Sequence, residues 1–301
     1  MFLLFLIHPI VWFLMSNSVA PDDHSQNGEE EFLAATFAKL GIAQGTFCEF
    51  GAWDGQHLSN CYGFYQKGWG GWYIEGDRKR FGDLQRNITE KRVETICSFV
   101  QPSGPDCLDQ ILSRSKLYAS GVTTIDLLSI DIDSDDLAVW RGVKVFRPKI
   151  VIIEFNPTIP IDTYFENTPG KNHGNSPLSI YEHARSIEYD LIAIIGANLI
   201  FVDHRLGTGL PVIPLTGAAS GMRYFFGIDG TMFVTKPGAG AVAKSPDMIR
   251  VPWIGGVFPQ PVDAPFRRFD PGKFSSTVQR FWSYLKMIFT NPISIVKRLF
   301  R

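Results

Sequence analysis

Short apolar runs alternate with segments of helical spacing along residues 28–204. Five such runs have the length and composition of buried strands, at residues 46–50, 71–74, 93–100, 123–133 and 149–156. Segments with apolar residues at helical spacing precede or follow them, at residues 28–40, 56–67, 77–88, 107–118, 135–143 and 179–187. Alternation of this kind predicts a mostly parallel sheet with helices on both faces.

Two further strand-like runs, residues 189–195 and 199–204, are separated only by the sequence Gly-Ala-Asn. A connection this short joins antiparallel neighbours, because parallel strands need a crossover of a dozen residues or more. The pattern therefore predicts an α/β fold: a Rossmann-like, doubly wound, mostly parallel sheet with a terminal antiparallel strand pair. A Gly/Pro-rich extension with short β-like runs follows from residue 207.

A glycine turn lies between the first strand and the segment predicted as the next helix. Gly51 and Gly55 lie four positions apart, and glycine lets a backbone bend sharply or approach a ligand closely. Glu75 ends the second predicted strand twenty residues after Gly55, where a doubly wound fold places a carboxylate for a ribose diol. A tight strand–helix turn without a ligand is the alternative interpretation.

Composition restricts the remaining choices. The chain has 301 residues, of which 45% are hydrophobic and 20% charged, so it can bury one large core or two modest ones. A net charge of −1 and the lack of a basic stripe interleaved with aromatic residues before residue 270 argue against a nucleic-acid partner. The four cysteines have no C-x-x-C spacing, which favours reduced thiols in a reducing compartment.

Both ends of the chain raise the question of membrane contact. Residues 1–15 are almost wholly apolar but are followed by Pro21 next to Ala20, and no Lys or Arg precedes Lys39. An interfacial anchor, a signal peptide and a packed apolar extension stay open for this segment. Residues 273–301 have the pattern of a basic amphipathic helix, which suits an anionic membrane surface or packing against the N-terminal run. We thus divide the chain into residues 1–27, 28–206, 207–272 and 273–301.

Five motifs in order carry a family resemblance. They are EFGAWDGQHLSN at 49–60, GWGGWYIEGD at 68–77, LLSIDIDSDD at 127–136, RPKIVIIEFNP at 147–157 and ANLIFV at 197–202. Together they resemble the class I S-adenosylmethionine-dependent methyltransferases, and more narrowly their FkbM-like branch. The resemblance covers residues 46–204. It implies a cytoplasmic enzyme, because its cofactor, S-adenosyl-L-methionine, is intracellular, and it leaves association with a membrane open.

The resemblance also implies cofactor-binding residues. Gly51 and Gly55 would lie under the methionine portion, and Glu49 would orient the loop and the amino group. Glu75 would hold the ribose hydroxyls. The remaining expected contacts are Asp77 at the adenosine edge, Phe99 near adenine and Asp131. An N-cap role for Asp77 and core packing for Phe99 are the alternatives.

Catalysis would need a group that removes a proton from the acceptor. The candidates are Asp131, Asp133, Glu154 and Asn156 at the ends of the fourth and fifth strands, and His173 in the long loop after them. Oxygen ligands at converging strand ends would also suit a divalent cation, which is not favoured here. The family implies O-methylation of a saccharide-like or other small hydroxyl acceptor, a small molecule or a glycan. A non-catalytic binding module and another nucleotide-binding α/β enzyme are the alternatives.

Overall fold

The protein is represented by a computed structural model. It describes residues 24–132, 134–156, 161, 164–168 and 174–215, and the backbone of three strands at 223–226, 232–235 and 248–250. The predictions for both termini, for Asp133 and for His173 fall outside these residues. The described part forms two compact units: the first runs to Asp131 and includes 142–152, and the second comprises 132–141 and the described residues from Ile153 onward.

Seven helices and ten strands are found among the described residues. The helices are α1 Glu29–Lys39, α2 Tyr62–Gln66, α3 Arg78–Asn87, α4 Leu108–Ser113, α5 Lys116–Ala119, α6 Asp136–Gly142 and α7 Pro177–Ser186. The strands are β1 Thr46–Phe50, β2 Gly70–Glu75, β3 Val93–Cys97, β4 Leu127–Ile130, β5 Ile150–Glu154, β6 Tyr189–Ile195, β7 Asn198–Asp203, β8 Arg223–Phe226, β9 Met232–Thr235 and β10 Met248–Arg250.

The main sheet has the order β3-β2-β1-β4-β5-β7-β6. β1 pairs in parallel with both β2 and β4, and β2 pairs in parallel with β3. β6 and β7 are antiparallel. The predicted fold class is therefore confirmed. The strand order reverses between β1 and β4, and in open α/β sheets ligands bind beyond the carboxyl ends of the strands at such a reversal.

Close backbone contact explains the glycine-rich start of β2. Gly71 has φ 139°, and a methyl group there would lie 1.9 Å from the carbonyl oxygen of Phe47 on β1. Only glycine permits this approach, so the GWGGW motif serves the β1–β2 pairing. The neighbouring Trp72 and Tyr73 are fully buried, and they anchor the first unit's core.

Helical spacing in the sequence predicts that Phe32, Phe37 and Leu40 form the inner face of α1, and the structure differs in part. Leu33 and Phe37 are the buried apolar residues, whereas Phe32 and Leu40 are half-exposed. Phe37 packs edge-on against the rings of Phe64 and Trp69, so α1 covers the segment between β1 and β2.

The helix predicted over residues 56–67 is wrong in extent, because only Tyr62–Gln66 are helical. Asp54 Oδ1 accepts hydrogen bonds from the backbone N–H groups of Gln56 and His57, at 2.9 and 2.8 Å. Leu58, one of the apolar residues at helical spacing that suggested this helix, has φ 58° and is 43% exposed. Side chains that bind nearby backbone N–H groups compete with helix formation, which explains the irregular segment.

The helix predicted over residues 107–118 is divided into α4 and α5. Ser115 begins the second part: its Oγ accepts hydrogen bonds from the backbone N–H of Tyr118 and from Nε1 of Trp72, at 3.1 and 3.0 Å. The tie to buried Trp72 fixes the position of this N-cap, which the helical spacing could not reveal.

The second unit contains the β6–β7 pair and α7, with Trp140 of α6 at its centre. The Trp140 ring contacts the rings of His183, Tyr189 and Phe201, with centroids 5.1 to 5.6 Å apart. Farther along the chain, β8, β9 and β10 form a separate antiparallel sheet, in agreement with the short β-like runs of the extension.

Candidate functional site

The glycine loop after β1, residues 51–61, has an unusual backbone. Gly51 and Gly55 have φ near 75°, and two non-glycine residues, Trp53 and Leu58, also have positive φ values of 47° and 58°. Non-glycine residues seldom adopt this region, and they cluster at functional sites when they do. Both Trp53 and Leu58 are exposed, so burial of their side chains does not explain the strain.

Glu75 connects this loop to the end of β2. Its Oε2 accepts a hydrogen bond from the backbone N–H of Trp53 at 2.8 Å, and its Oε1 accepts one from the N–H of Asp77 at 2.7 Å. The loop is also tied to β2 by the N–H of Ala52, which donates to the carbonyl of Ile74. A carboxylate has about four acceptor positions, so Glu75 retains the capacity to accept two further donors, such as a pair of ribose hydroxyls.

Glu49 is buried on β1 and holds the far end of the loop. Its carboxylate accepts hydrogen bonds from Ser59 Oγ at 2.6 Å, from the N–H of Asn60 at 3.0 Å and from Ser129 Oγ at 3.3 Å. Burial raises the pKa of Glu49 to about 7, although the three hydrogen bonds oppose the shift. Glu49 thus holds the Ser59–Asn60 end of the loop against β1. The amino-group contact stays a prediction.

The two glycines of the loop have different surroundings. Gly51 is exposed at the carboxyl end of β1. Gly55 is buried against α3, and a methyl group there would lie 2.6 Å from Leu84 Cδ1 and 2.9 Å from Ile88 Cγ1. Packing on α3 thus leaves no room for a side chain at Gly55, whereas the surface at Gly51 is open to a ligand.

Phe99 lies beyond the end of β3 and is 69% exposed, while its neighbour Val100 is buried. The Phe99 ring lies against the backbone of Gly76, where an added methyl group would come within 2.2 Å of Cδ1. Core packing was the alternative role for Phe99. The structure shows it for Val100 but not for Phe99. The exposed Phe99 ring therefore offers an apolar face next to Gly76, the residue that follows Glu75.

Asp77 is the N-cap of α3. Its Oδ1 accepts hydrogen bonds from the backbone N–H groups of Lys79 and Arg80, both at 2.9 Å, and these bonds lower its pKa. The helix begins where its side chain satisfies two N–H groups that have no partner within the helix. A contact with adenosine stays a prediction for this residue.

Asp77→Ala is expected to destabilise the protein, because the N-cap of α3 loses its side-chain acceptor. Urea unfolding at pH 7 measures the loss. The control is Asp83→Ala on the same helix, which removes only an exposed pair with Arg86 and should change stability by less than about 0.5 kcal/mol. Equal losses in the two variants would contradict the capping role.

The candidate catalytic residues lie at two strand ends. Asp131 directly follows β4 and is exposed in the first unit. In the second unit, Glu154 ends β5, and Asn156 is buried, with its backbone N–H 2.8 Å from the carbonyl oxygen of Asn175. Their catalytic roles stay predictions. So do those of Asp133 and His173, which lie outside the described residues.

The described part of the long loop after β5 is fixed to α6. Arg141 donates two hydrogen bonds of 2.7 Å to the two carboxylate oxygens of Glu166, and Tyr164 donates a third. The Arg141 guanidinium lowers the pKa of Glu166. Nearby, Asn167 Nδ2 donates to Asp135 Oδ1 at 2.6 Å. These bonds make Glu166 a structural residue of the loop.

Several residues of the site could not be singled out from the sequence. Ser59, Asn60 and Ser129 surround Glu49, and Arg80 lies with its guanidinium carbon 4.8 Å from the centroid of the Trp53 ring. Ser59 and Asn60 belong to the LSN end of the first motif, which is the signal that could have indicated them. Ser129 belongs to the LLSIDIDSDD motif in the same way, whereas nothing in the local pattern marks Arg80.

The described residues show neither a metal centre nor a membrane-crossing helix. No group of three or more His, Cys, Asp or Glu side chains there could hold a metal ion. Within the same residues, no helix is both long and apolar enough to cross a membrane.

Comparisons with known proteins give matches only at the level of structure. No protein-family model matches the chain, and no curated protein matches its sequence. Similar solved structures include M. capricolum TrmK in complex with S-adenosyl-homocysteine, at 12% identity and a TM-score of 0.34 over 56% of this chain and 68% of that one. A TehB-like SAM-dependent methyltransferase from Corynebacterium glutamicum has 11% identity and a TM-score of 0.37, over 64% and 95% of the two chains.

A third similar structure is a SAM-dependent methyltransferase from Geobacter sulfurreducens in complex with S-adenosyl-L-homocysteine. It has 12% identity and a TM-score of 0.34, over 62% of this chain and 72% of that one.

Proposed function

We propose that the protein is an S-adenosylmethionine-dependent methyltransferase. The observation that carries the proposal is the position of Glu75: a buried carboxylate at the end of β2, held by the N–H groups of Trp53 and Asp77, beside the strained glycine loop. The loop leaves β1 at the point where the strand order reverses. The closing antiparallel pair, β6 and β7, is the further feature that the family resemblance implies.

The residues of the first unit suit the three parts of this cofactor. Glu75 has acceptor capacity for the two ribose hydroxyls, and the exposed face of Phe99 suits a planar base. Exposed Gly51, with its positive φ, lets the backbone approach the methionine portion. Glu49 acts on that part of the site through Ser59 and Asn60.

The bound cofactor would supply a methyl group attached to a positively charged sulfonium sulfur. Once the methyl group is transferred, the sulfur remains in the leaving group as a neutral thioether. The protein has to align the acceptor behind the methyl group and take up one proton from it. For this step we propose the carboxylates Asp131, Asp133 and Glu154 and the imidazole of His173 as candidate bases, with Asn156 as an orienting group. Transfer to a hydroxyl of a small molecule or glycan, and membership of the FkbM-like branch, are the finer parts of the proposal.

Calorimetric titration of the full chain with S-adenosylhomocysteine tests the proposal. We expect this ligand to bind and NAD and a UDP-sugar to give no heat, although all three contain ribose. Binding of NAD or the UDP-sugar alone would instead identify another nucleotide-binding enzyme, since Glu75 can accept from any ribose diol. Lack of S-adenosylhomocysteine binding by folded protein would overturn the proposal.

A further inference from the structure

One face of α3 contacts the glycine loop along its length. Arg80, Leu84 and Asn87 lie on one side of α3, and Ile88 directly follows its last turn. Arg80 covers the Trp53 ring, Asn87 Nδ2 donates to the carbonyl oxygen of Asp54 at 2.9 Å, and the two apolar residues pack on Gly55. Successive residues of the loop, 53 to 55, are therefore each held by α3.

The loop needs this support because its backbone is strained. A non-glycine residue with positive φ persists only where its surroundings impose it. The Trp53 side chain is 38% exposed, so core packing does not impose the conformation. The interactions that remain are the Arg80 guanidinium over the ring, the edge-on contact with His57, and the bond from the Trp53 N–H to Glu75.

The same contacts connect α3 to the candidate ligand carboxylate. The N–H of Trp53 and the N–H of Asp77 fix the two oxygens of Glu75, and Asp77 in turn caps the helix that carries Arg80. A shift of Trp53 would release one oxygen of Glu75 from its donor and change the direction of its lone pairs. The orientation of Glu75 thus depends on α3 at both oxygens.

We propose that Arg80 and Asn87 are positioning residues, which hold the glycine loop in its strained, ligand-accepting conformation and thereby orient Glu75. Neither residue needs to touch the ligand. Arg80 acts through the Trp53 ring, and Asn87 acts through the carbonyl of Asp54. The inference rests on the proposed function, since it assigns these residues a role in binding the ribose of the cofactor.

The test compares the full chain with Arg80→Met, Asn87→Ala and the double variant. Each single change should weaken S-adenosylhomocysteine binding about three- to fivefold, and the double change about tenfold or more, because one exposed cation–π contact or one hydrogen bond is lost at each position. Arg80→Lys keeps a cation over the ring and should restore most of the affinity. Arg86→Met is the matched control, since Arg86 lies off this face with its side chain 71% exposed.

Hydrogen exchange of the ligand-free protein provides an independent measurement. Amides of residues 51–60 should exchange faster in Arg80→Met and Asn87→Ala than in wild type or Arg86→Met, while amides of β1 and β4 stay unchanged. Unchanged exchange and unchanged affinity in the double variant would overturn the inference. So would a loss of affinity that Arg80→Lys does not reduce, or one matched by Arg86→Met.

The two proposals fail in different ways. Wild-type protein that does not bind S-adenosylhomocysteine contradicts the proposed function, whatever the variants do. Wild-type binding that is retained in the double variant contradicts the positioning role alone. The exchange measurement needs no ligand, so it tests the support of the loop by α3 in either case.

Discussion

Glu75→Gln is expected to weaken S-adenosylhomocysteine binding by about 100-fold, or about 2.7 kcal/mol. Hydrogen bonds to a charged group contribute about 1.5–3 kcal/mol each, and the ribose would donate two of them. Glutamine has the same shape but carries an NH₂ group in place of one oxygen. That group would face the N–H of Trp53 or of Asp77, so the variant also loses one of the two bonds that orient the side chain.

The measurement is calorimetry of the full chain, with Glu90→Gln as the control. Glu90 is an exposed partner of Arg92, and its change should leave the affinity unaltered. The 2′-deoxy analogue of S-adenosylhomocysteine makes the test specific, because it lacks one donor to the carboxylate. The difference between wild type and Glu75→Gln should shrink with the analogue. An equal difference for both ligands would show that Glu75 does not hold the ribose.

Between acid and mildly basic pH, the wild type is expected to lose about 3 kcal/mol of stability because Glu49 ionises. Glu49→Gln should abolish this loss. Burial raises the pKa of Glu49 from 4.5 to about 7. Below pH 4.5 the carboxyl is neutral in both the folded and unfolded chain, so its ionisation costs nothing. As the pH rises to 7, the unfolded chain ionises first, so the folded state binds the extra proton and loses stability.

Urea unfolding at pH 5 and pH 8 measures this difference. The wild type should lose more stability over this interval than Glu49→Gln, because an amide does not ionise. The pKa values of other groups are shifted in both proteins. Asp190, for example, raises the pKa of exposed His204, and the contribution of His204 to stability is also lost as the pH rises. Such effects cancel when the two slopes are subtracted. Parallel slopes would show that Glu49 titrates in the folded protein as it does in the unfolded chain.

The sequence predicted strands better than it predicted the loop between β1 and β2. The strands are marked by apolar runs, and the short Gly-Ala-Asn connection was enough to predict that β6 and β7 are antiparallel. Residues 56–61 have apolar residues at helical spacing but are not helical. Their N–H groups are taken by Asp54, Glu49 and Ser59, and the bond from Asn60 to Glu49 depends on where the loop meets β1.

For individual site residues, too, the sequence predicted some features and only the fold revealed others. Spacing alone placed Glu75 at the end of β2, but two features that make it a candidate ligand were not visible: its burial and its bond to Trp53, 22 residues away. Likewise, Phe99 and Val100 are adjacent apolar residues in the sequence, and only the fold exposes the first and buries the second.

What the sequence by itself determined is the order of the strands and helices and the position of the glycine loop and Glu75 at the strand ends. These follow from hydrophobic periodicity and from glycine, which act over a few residues. The tertiary structure decided that Gly55 packs on α3 and that Arg80 covers Trp53. Such contacts join residues that are distant in the chain, and they exist only once the helices have packed on the sheet.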